Sequence, residues 1–349
     1  MGRERGAVAM IGAGSWGTAM ANHLVLQGIP TAIWALEPEV VEGINTRHEN
    51  PLFLQGVELD PLLVAHDDLP AAVEGADVLV SAVPTQHIRE VFGRLRGDPP
   101  DVGLFVSLSK GIEVDTGLLP SGVLQEVMPG RLTEHVVALS GPSFAREVAA
   151  RHPTAVVAAS SDAGSARQVR DLFSSESFRV YSTDDVVSVE LGGALKNVIA
   201  IAAGIADGLG FGTNTRAAIV TRGLAELARL GVALGGNPMT FAGLSGIGDL
   251  VLTCTGALSR NRSLGIEIGK GRTLEEIIAS TREVAEGAKT SVAAHQLTLR
   301  LGVEMPITAQ VYRTLYEGKD PRQGVIDLMG RDLKDERPPG EAPPGTGRP

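Results

Sequence analysis

The sequence predicts an α/β fold in which a mainly parallel, doubly wound sheet is followed by an all-helical C-terminal domain. Short apolar runs alternate with helical stretches up to about residue 185, and long helical stretches dominate from about residue 186. A glycine-rich turn follows the first apolar run. Strands that alternate with helices indicate a parallel sheet with helices on both faces. A chain of 349 residues is long enough for two domains, here one sheet domain and one helical domain.

The predicted strands are short apolar runs that are bounded by glycine or polar residues. They lie at residues 7–11, 31–36, 78–83, 104–108, 136–139, 155–159 and 178–181. The predicted helices have apolar residues at helical spacing. They lie at residues 19–26, 186–206, 214–234, 274–281, 289–301 and 307–317. We therefore predict a sheet domain of residues 1–185, a helical domain of residues 186–335 and a Pro/Gly-rich, disordered tail of residues 336–349.

Net charge, cysteine content and the length of apolar runs limit the classes of protein to which this chain can belong. The net charge is −10, which argues against a nucleic-acid-binding surface because such surfaces are basic. A single cysteine, Cys254, excludes an internal disulfide and favours a reducing compartment. We find no secretory signal and no apolar run long and uncharged enough for a membrane span, so we expect a cytoplasmic protein. The seven histidines are scattered and no cysteines are paired, so we expect no metal site.

The sequence GAGSWG, residues 12–17, predicts a dinucleotide-binding turn in a Rossmann-type domain. It lies between the first strand and a helix, where Gly12 makes the turn, Gly14 lets the backbone approach a pyrophosphate and Gly17 permits close packing of helix and strand. Glu37 ends the second strand and can accept hydrogen bonds from a ribose 2′-hydroxyl. It would repel a 2′-phosphate, and its segment ALEPEV contains no arginine. This pattern favours NAD(H), with NADP(H) left open. The alternative for Glu37 is a solvated surface carboxylate.

Three further polar segments follow predicted strands, at the sheet edge where such folds bind ligands. They are SAVPTQHI (81–88), SLSKGIE (107–113), which contains Lys110, and SGPSFA (140–145). The alternative is that Lys110 is an ordinary charged residue of a surface loop with no role in binding. A position facing the cofactor or the substrate fits better beside a glycine at a strand end.

The run LGGALKNVIAIAAGIA, residues 191–206, contains one charge, that of Lys196. Its apolar spacing predicts a buried helix. The simple alternative is that Lys196 extends its ammonium group to water along the helix surface. Against it, residues near one helical turn away are small, which predicts room for another molecule, and a lysine held out of water suits acid–base chemistry. The small residues are Gly192, Gly193, Ala200 and Ala203.

The segment LSRNRSLG, residues 258–265, places Ser259, Arg260, Asn261 and Arg262 together and predicts a phosphate-binding loop. Hydroxyl, guanidinium and amide groups are good donors to a phosphate. The equally supported alternative is a polar turn with a helix N-cap at Ser259. A nicotinamide cofactor, one acid–base lysine and an anion-binding arginine together predict hydride transfer on a small phosphorylated alcohol or ketone.

The chain resembles the NAD(P)-dependent glycerol-3-phosphate dehydrogenase family, of the soluble, bacterial type, from about residue 7 to 330. The resemblance is carried by several long motifs in order: GAGSWGTAMA, INTRHENPLFLQG, SLSKGIE, LSGPSFAREV, VELGGALKN and its continuation to VTRGLAE, GIGDLVLTC and SRNRSLG. The family interconverts dihydroxyacetone phosphate and sn-glycerol 3-phosphate, feeds glycerophospholipid synthesis and is usually dimeric. The resemblance therefore implies a homodimer with a phosphorylated three-carbon substrate.

The resemblance also assigns roles to individual residues. It implies that Lys196 is the catalytic acid–base and that Arg260 is the main charge partner of the phosphate. For the substrate it implies Lys110, Gly141, Ser143, Lys196, Asn197, Asp249, Thr253, Ser259, Arg260 and Asn261. For the cofactor it implies Ser15, Trp16, Lys110, Ala145, Arg260, Val284 and Glu286, besides Gly12, Gly14, Gly17 and Glu37.

One departure and two rival functions bear on this assignment. Many bacterial members resemble WARRPE after the second strand, with arginines that accept NADPH, whereas this chain has WALEPE. A β-hydroxyacid or 6-phosphogluconate type dehydrogenase would share the Rossmann domain, the helical domain and a lysine, but not the SRNR loop paired with GGALKN. A dinucleotide-sensing regulator would need a partner or DNA-binding module, which this acidic chain does not show.

Asp249 near Lys196 would raise the pKa of the lysine, whereas desolvation would lower it. The sequence does not give the net direction of the shift.

Overall fold

The computed structural model describes residues 6–280, 285–333 and 336. The chain divides into two compact units, residues 1–190 and residues 191–349. The division falls inside one long helix and lies slightly beyond the boundary predicted at residue 185. The part of the predicted tail beyond residue 336 lies outside the described residues.

The first unit contains an eight-stranded sheet in the order β3-β2-β1-β4-β5-β6-β7-β8. All neighbouring strands are parallel except β6 and β7. This confirms the predicted mainly parallel, doubly wound sheet. The strands are β1 Val8–Ile11, β2 Thr31–Trp34, β3 Val64–His66, β4 Val78–Ser81, β5 Leu104–Ser107, β6 Val137–Ser140, β7 Thr154–Ala159 and β8 Phe178–Thr183.

Helices cover both faces of this sheet. Alternate residues of β1 pack into two different apolar clusters, Val8 and Met10 in one and Ala9 and Ile11 in the other. Because successive side chains of a strand point to opposite faces, the sheet is buried on both sides, which explains its continuous apolar runs. The helices of this unit are α1 Ser15–Val25, α2 Pro38–Glu42, α3 Leu69–Val73, α4 Ile88–Gly93, α5 Pro120–Val127, α6 Gly130–Thr133, α7 Ala145–Ala149 and α8 Ala163–Phe173.

The described part of the second unit is helical. Its helices are α9 Val186–Gly208, which begins in the first unit, α10 Thr213–Ala233, α11 Asp249–Thr255, α12 Arg260–Gly269, α13 Leu274–Ser280, α14 Glu286–Leu301, α15 Pro306–Tyr316 and α16 Pro321–Met329. The loop predicted at residues 258–265 is wrong in one respect, because Arg260 is the first residue of α12. Local patterning did not show this, since the segment contains a run of polar residues.

The helix α9 is the core of the second unit. By length and composition it is the one described helix that could cross a membrane, but 83% of its apolar window is buried inside the protein. Val198, Ile201 and Ile205 pack against α12, α13 and α15 through Leu264, Leu274, Val311 and neighbouring residues. A buried core helix satisfies the same composition test as a membrane helix, and α9 is such a core helix.

Candidate functional site

The glycine-rich turn uses its three glycines in different ways. Gly12 has φ +112°, a conformation that residues with a side chain rarely adopt. A Cβ atom on Gly17 would lie 2.0 Å from the carbonyl oxygen of Gly12, so this glycine lets α1 pack against the turn. A Cβ atom on Gly14 would meet nothing within 4 Å, and Gly14 is exposed. The fold therefore requires Gly12 and Gly17, while the open space at Gly14 suits a ligand that approaches the backbone.

Helix α1 begins directly after this turn, at Ser15. Its N-cap is Gly14, and its first turn contains no acidic residue that would compete with an anion. The free N–H groups and the dipole of a helix N-terminus attract phosphates. Trp16 is half-buried, and its indole nitrogen Nε1 is buried without a hydrogen-bond partner in the described structure. These features fit the diphosphate of a dinucleotide.

Glu37 lies just beyond the end of β2, at the N-cap of α2. The residue is half-buried, and its side chain does not cap the helix that it precedes. Its position after the second strand is the one at which dinucleotide-binding folds place an acidic residue for the ribose.

The ends of β5 and β6 bring three predicted substrate residues together. The carbonyl oxygen of Gly141 accepts a hydrogen bond from Lys110 Nζ at 3.1 Å and another from Ser143 Oγ at 2.9 Å. Gly141 has φ +144°, and a Cβ atom there would lie 2.9 Å from Val156 Cα. Ala145 begins α7. The half-buried ammonium of Lys110 is therefore fixed at the carboxyl edge of the sheet, where parallel α/β folds bind ligands.

Lys196 is buried in α9, with 7% of its surface exposed, and its Nζ donates to the carboxylate of Asp249. Asp249 is fully buried and begins α11. Thr253 lies one turn further along α11, and its hydroxyl bonds to the carbonyl of Asp249 at 2.6 Å and to Asp249 Oδ1 at 3.3 Å. The alternative in which Lys196 extends to water is therefore wrong. Its charge is matched by a buried carboxylate, as a buried ammonium requires.

The expectation about the face of Lys196 is wrong at Gly192, one of the four small residues predicted to leave room for another molecule. A Cβ atom on Gly192 would instead lie 2.3 Å from the carbonyl oxygen of Ser245. The space at Gly192 is filled by the backbone that leads into α11, so this glycine brings Asp249 towards Lys196 rather than admitting a ligand.

A chain of hydrogen bonds connects three segments of the second unit next to Lys196. Asn261 Nδ2 donates to Asn197 Oδ1 at 2.9 Å, and Asn261 Oδ1 accepts from the backbone N–H of Gly287 at 3.0 Å. Asn197 and Asn261 are both buried. The structure thus brings these two predicted substrate residues together and connects them to the first turn of α14, where the half-buried Glu286 lies. Val284, predicted to contact the cofactor, lies outside the described residues.

The polar cluster SRNR separates into different roles in the structure. Ser259 is the N-cap of α12, and its hydroxyl accepts a hydrogen bond from Arg262 N at 3.2 Å. Arg260 is exposed at the first position of α12. Arg262 instead pairs with Asp207 at 2.7 Å. The helix-cap alternative for Ser259 therefore describes its local structure, and of the two arginines Arg260 is the exposed one.

Asp207, Thr18 and Asn50 were not predicted from the sequence. Asp207 lies about three helical turns after Lys196 on α9, so helical spacing could have placed it on the face of Lys196. Thr18 and Asn50 are fully buried polar residues that bond to each other beside the glycine-rich turn. No periodic pattern marks Asn50, which lies in an irregular segment before Pro51.

Both units of the chain match models of known protein families. Residues 7–166 match the family model of the NAD-dependent glycerol-3-phosphate dehydrogenase N-terminus, and residues 185–326 match that of its C-terminus. A glycerol-3-phosphate dehydrogenase [NAD(P)+] of Citrifermentans bemidjiense is 55% identical over 329 residues, which cover 94% of this chain and 98% of the relative. The protein of the same name from Geobacter sulfurreducens is 52% identical, over 95% of this chain and 98% of the relative.

A solved structure agrees with these matches. The crystal structure of glycerol-3-phosphate dehydrogenase from Coxiella burnetii is similar, with a TM-score of 0.90 and 37% identity. The similarity covers 94% of this chain and 100% of that chain. The likeness therefore extends through nearly the whole of both chains.

Proposed function

The chain belongs to the NAD-dependent glycerol-3-phosphate dehydrogenase family, and we propose on that basis that it interconverts dihydroxyacetone phosphate and sn-glycerol 3-phosphate with NAD(P)H. The relatives that cover nearly all of the chain have the corresponding name. The observation that carries the proposal is the buried pair of Lys196 and Asp249. It supplies a proton donor in the unit that matches the C-terminal family model.

In the reduction, Lys196 is proposed to be the general acid. A dinucleotide held at the glycine-rich turn would supply the hydride that reduces C2 of the ketone. The ammonium of Lys196 donates its proton to the oxygen on C2, which yields the alcohol and leaves a neutral amine that regains a proton from solvent. Asp249 holds the charged form of Lys196 and orients it, and Thr253 in turn holds the Asp249 carboxylate. The oxidation runs through the same groups in reverse.

We assign the phosphate and the hydroxyls of the substrate to polar side chains and backbone groups. Arg260 is proposed as the main phosphate partner because its guanidinium is exposed at the N-terminus of α12, where the helix dipole also favours an anion. Ser259, Asn261 and Asn197 are proposed to bind beside it. Lys110, Gly141 and Ser143 are proposed as further substrate contacts, and Lys110 as a cofactor contact as well.

The cofactor residues are proposed from the geometry of the glycine-rich turn and from the family resemblance. Gly12, Gly14, Ser15, Trp16 and Gly17 are proposed to hold the diphosphate. Glu37 is proposed to bind the ribose, which favours NADH over NADPH. Further proposed contacts are Ala145, Arg260, Val284 and Glu286.

Domain roles, assembly and location complete the proposal. Residues 1–185 are proposed as the dinucleotide-binding domain and residues 186–335 as the substrate domain. A homodimer in the cytoplasm that supplies glycerol 3-phosphate for glycerophospholipids agrees with the family resemblance. The single cysteine, Cys254, is buried and free, which agrees with a reducing compartment.

The deciding experiment is the initial rate of dihydroxyacetone phosphate reduction, followed by cofactor absorbance with NADH and NADPH side by side. Activity that favours NADH supports the reaction and the role of Glu37. Activity that favours NADPH retains the reaction and contradicts the role of Glu37. No activity with either cofactor contradicts the proposed function.

Two substitutions test the residue roles. Lys196→Ala is expected to abolish turnover while NADH still binds, and Lys270→Ala is the control because Lys270 is an exposed lysine at the end of α12. Normal turnover of Lys196→Ala would contradict its role. Arg260→Ala is expected to raise the KM for dihydroxyacetone phosphate much more than the KM for NADH. Equal increases would argue against a phosphate-binding role.

A further inference from the structure

The carboxamide of Asn50 lies beside the glycine-rich turn and bonds directly to its backbone. Asn50 is fully buried, and its Nδ2 donates to the carbonyl oxygen of Ala13 at 2.8 Å and to Thr18 Oγ1 at 2.8 Å. Thr18 is also fully buried, and its hydroxyl donates to the same carbonyl oxygen at 3.2 Å. Asn50, Thr18 and Ala13 therefore form a closed triangle of hydrogen bonds in which every donor has a defined direction.

The other end of the carboxamide is fixed as well. Asn50 Oδ1 accepts from Leu52 N at 3.2 Å and from Phe53 N at 3.0 Å. Because the oxygen is bound by two N–H groups, the amide cannot rotate to exchange its oxygen and nitrogen without losing these bonds. The amide group of Asn50 therefore has one orientation, in which its nitrogen faces the turn.

This orientation has a consequence for the ligand-facing side of the turn. Ala13 lies between Gly12 and Gly14, and its carbonyl shares a peptide plane with the N–H of Gly14. In a planar trans peptide the C=O and N–H bonds point in opposite directions. Asn50 and Thr18 hold the Ala13 carbonyl towards themselves, so they also hold the Gly14 N–H on the opposite side. Gly14 is exposed and has open space beside it.

We propose that Asn50, acting with Thr18, is a positioning residue for dinucleotide binding. It holds the Ala13–Gly14 peptide so that the N-terminal end of α1 is preorganised for the diphosphate. Glycine on both sides of Ala13 makes this peptide intrinsically mobile, and two buried hydrogen bonds remove that freedom before the ligand arrives. The inference rests on the proposed function, since it assumes that the turn binds NAD(P)H.

The experiment measures the Kd of NADH by fluorescence titration, together with both KM values and the thermal midpoint, for matched variants. Thr18→Val removes the hydroxyl at nearly constant shape, and Thr18→Ser keeps it. Asn50→Asp replaces the donor nitrogen by an oxygen that faces the Ala13 carbonyl. Asn45→Asp is the matched control. The amide of Asn45 also forms hydrogen bonds to the backbone, but to the N–H and C=O of Ala65, at 2.8 and 2.9 Å, rather than to the glycine-rich turn.

We expect Asn50→Asp to raise the Kd of NADH at least tenfold and Thr18→Val several-fold. The KM for dihydroxyacetone phosphate and the kcat at saturating NADH should change less than twofold. Thr18→Ser should restore binding towards that of the unaltered protein, and Asn45→Asp should leave the Kd within twofold. If Asn50→Asp does not fold, the comparison of Thr18→Val with Thr18→Ser decides.

Two results would overturn the inference. One is a Kd for NADH that stays within twofold in Thr18→Val and in folded Asn50→Asp. The other is an equal rise of both KM values, which is the result of general distortion rather than positioning of the turn. Failure of the unaltered protein to bind NADH or NADPH would instead contradict the proposed function, so the two failures are distinguishable.

Discussion

Two groups of glycines, one in each unit, have different structural roles. In the first unit, Gly12 and Gly141 adopt positive φ angles, and Gly14 leaves open space beside the backbone. In the second unit, Gly204 and Gly265 lie inside regular helices and have no such angles. Gly12 and Gly141 shape turns, and Gly14 leaves the backbone accessible. Gly204 and Gly265 instead bring two helix backbones into contact.

The helix contact in the second unit lies between α9 and α12. A Cβ atom on Gly204 would lie 2.1 Å from the carbonyl oxygen of Arg262, and one on Gly265 would lie 2.2 Å from that of Ile201. One turn further along, a Cβ atom on Gly208 would lie 2.3 Å from the carbonyl oxygen of Ile266. This contact fixes α12, and with it Arg260, relative to the helix that contains Lys196. The glycines therefore set the geometry of the candidate site through the packing of the two helices.

The largest expected effect is that of Gly204→Ala on stability. The added methyl group would overlap a backbone carbonyl that cannot move without displacing α12, so we expect a loss of about 3 kcal/mol in the free energy of unfolding. This loss exceeds the gain of about 1 kcal/mol in helix propensity. Urea denaturation of the full chain measures it.

The matched control is Gly93→Ala in the first unit. Gly93 is an exposed helical glycine, the last residue of α4, and a Cβ atom there would meet nothing within 4 Å. Here we expect no loss, and up to about 1 kcal/mol of stabilisation from helix propensity. Equal losses at residues 93 and 204 would contradict the role of the α9–α12 contact.

The second prediction separates Gly14 from Gly17 within one turn. Gly17→Ala should lower the free energy of unfolding, because its Cβ atom would meet the carbonyl oxygen of Gly12 at 2.0 Å and Ala82 Cβ at 2.9 Å. Gly14→Ala should leave unfolding nearly unchanged but raise the Kd of NADH about a hundredfold, or about 3 kcal/mol. NADH titration and urea denaturation of both variants check this. Undiminished NADH binding by Gly14→Ala would show that the open space does not face the cofactor.

The two units also share a feature, a buried glutamate that binds the first turn of a helix. Glu190 accepts two hydrogen bonds from Ser121, in α5, and burial raises its pKa to about 7. Glu226 accepts three from Ile307 and Thr308, in α15, and burial raises its pKa to about 6. The additional donor at Glu226 agrees with the smaller rise, because hydrogen bonds to the carboxylate favour its charged form.

The third prediction concerns pH. The ordinary pKa of both carboxyls is 4.5, so between about pH 4.5 and pH 7 the folded protein keeps a proton that the unfolded chain loses. The free energy of unfolding therefore falls as the pH rises through this range. Glu190→Gln should remove a part of that fall on the order of 1–2 kcal/mol, and Glu226→Gln a smaller part. Urea denaturation at pH 5 and pH 8 measures both. A slope unchanged in Glu190→Gln would contradict the raised pKa.

The smallest expected effect comes from adding a glycine where the backbone requires one. Arg151 has φ +59° and follows α7, whose end is closed by hydrogen bonds from Arg151 N to Val148 O and from His152 N to Glu147 O. This pattern prefers glycine at the position of Arg151. We expect Arg151→Gly to stabilise the protein by about 0.5–1 kcal/mol. Arg151→Ala, which keeps the Cβ atom, should give no gain. A gain of the same size in Arg151→Ala would attribute the effect to the lost guanidinium instead.

Helices and strands with a strong apolar pattern were predicted well. Those whose position depends on contacts with distant segments of the chain were not. The predicted strand at 104–108 corresponds to β5, and the predicted helix at 214–234 to α10. Helix α1 was predicted to begin at residue 19 but begins at Ser15, because its first turn, SWGT, contains a glycine and two hydroxyl residues and has no apolar helical pattern. The three-residue strand β3 was missed, since its alignment depends on pairing with β2.

The candidate site shows the same division. Helical spacing in the run around Lys196 predicted a buried helix, and the structure shows that Lys196 is buried as well. The partner, Asp249, is remote in sequence, and no local pattern connects the two residues. The resemblance supplied that connection, whereas the part played by Asn50 appears in the tertiary hydrogen bonds alone.

Local sequence patterns were sufficient to predict the alternation of strands and helices, the glycine-rich turn after β1 and the burial of the helix that contains Lys196. These features depend on residues close together in the chain, whose spacing matches the period of a strand or a helix. Tertiary structure alone decided that Arg260 is exposed while Arg262 pairs with Asp207, and that Gly14 faces open space while Gly17 contacts the turn. Residues two or three positions apart have the same local composition, so their difference arises from the distant segment that each one meets when the chain folds.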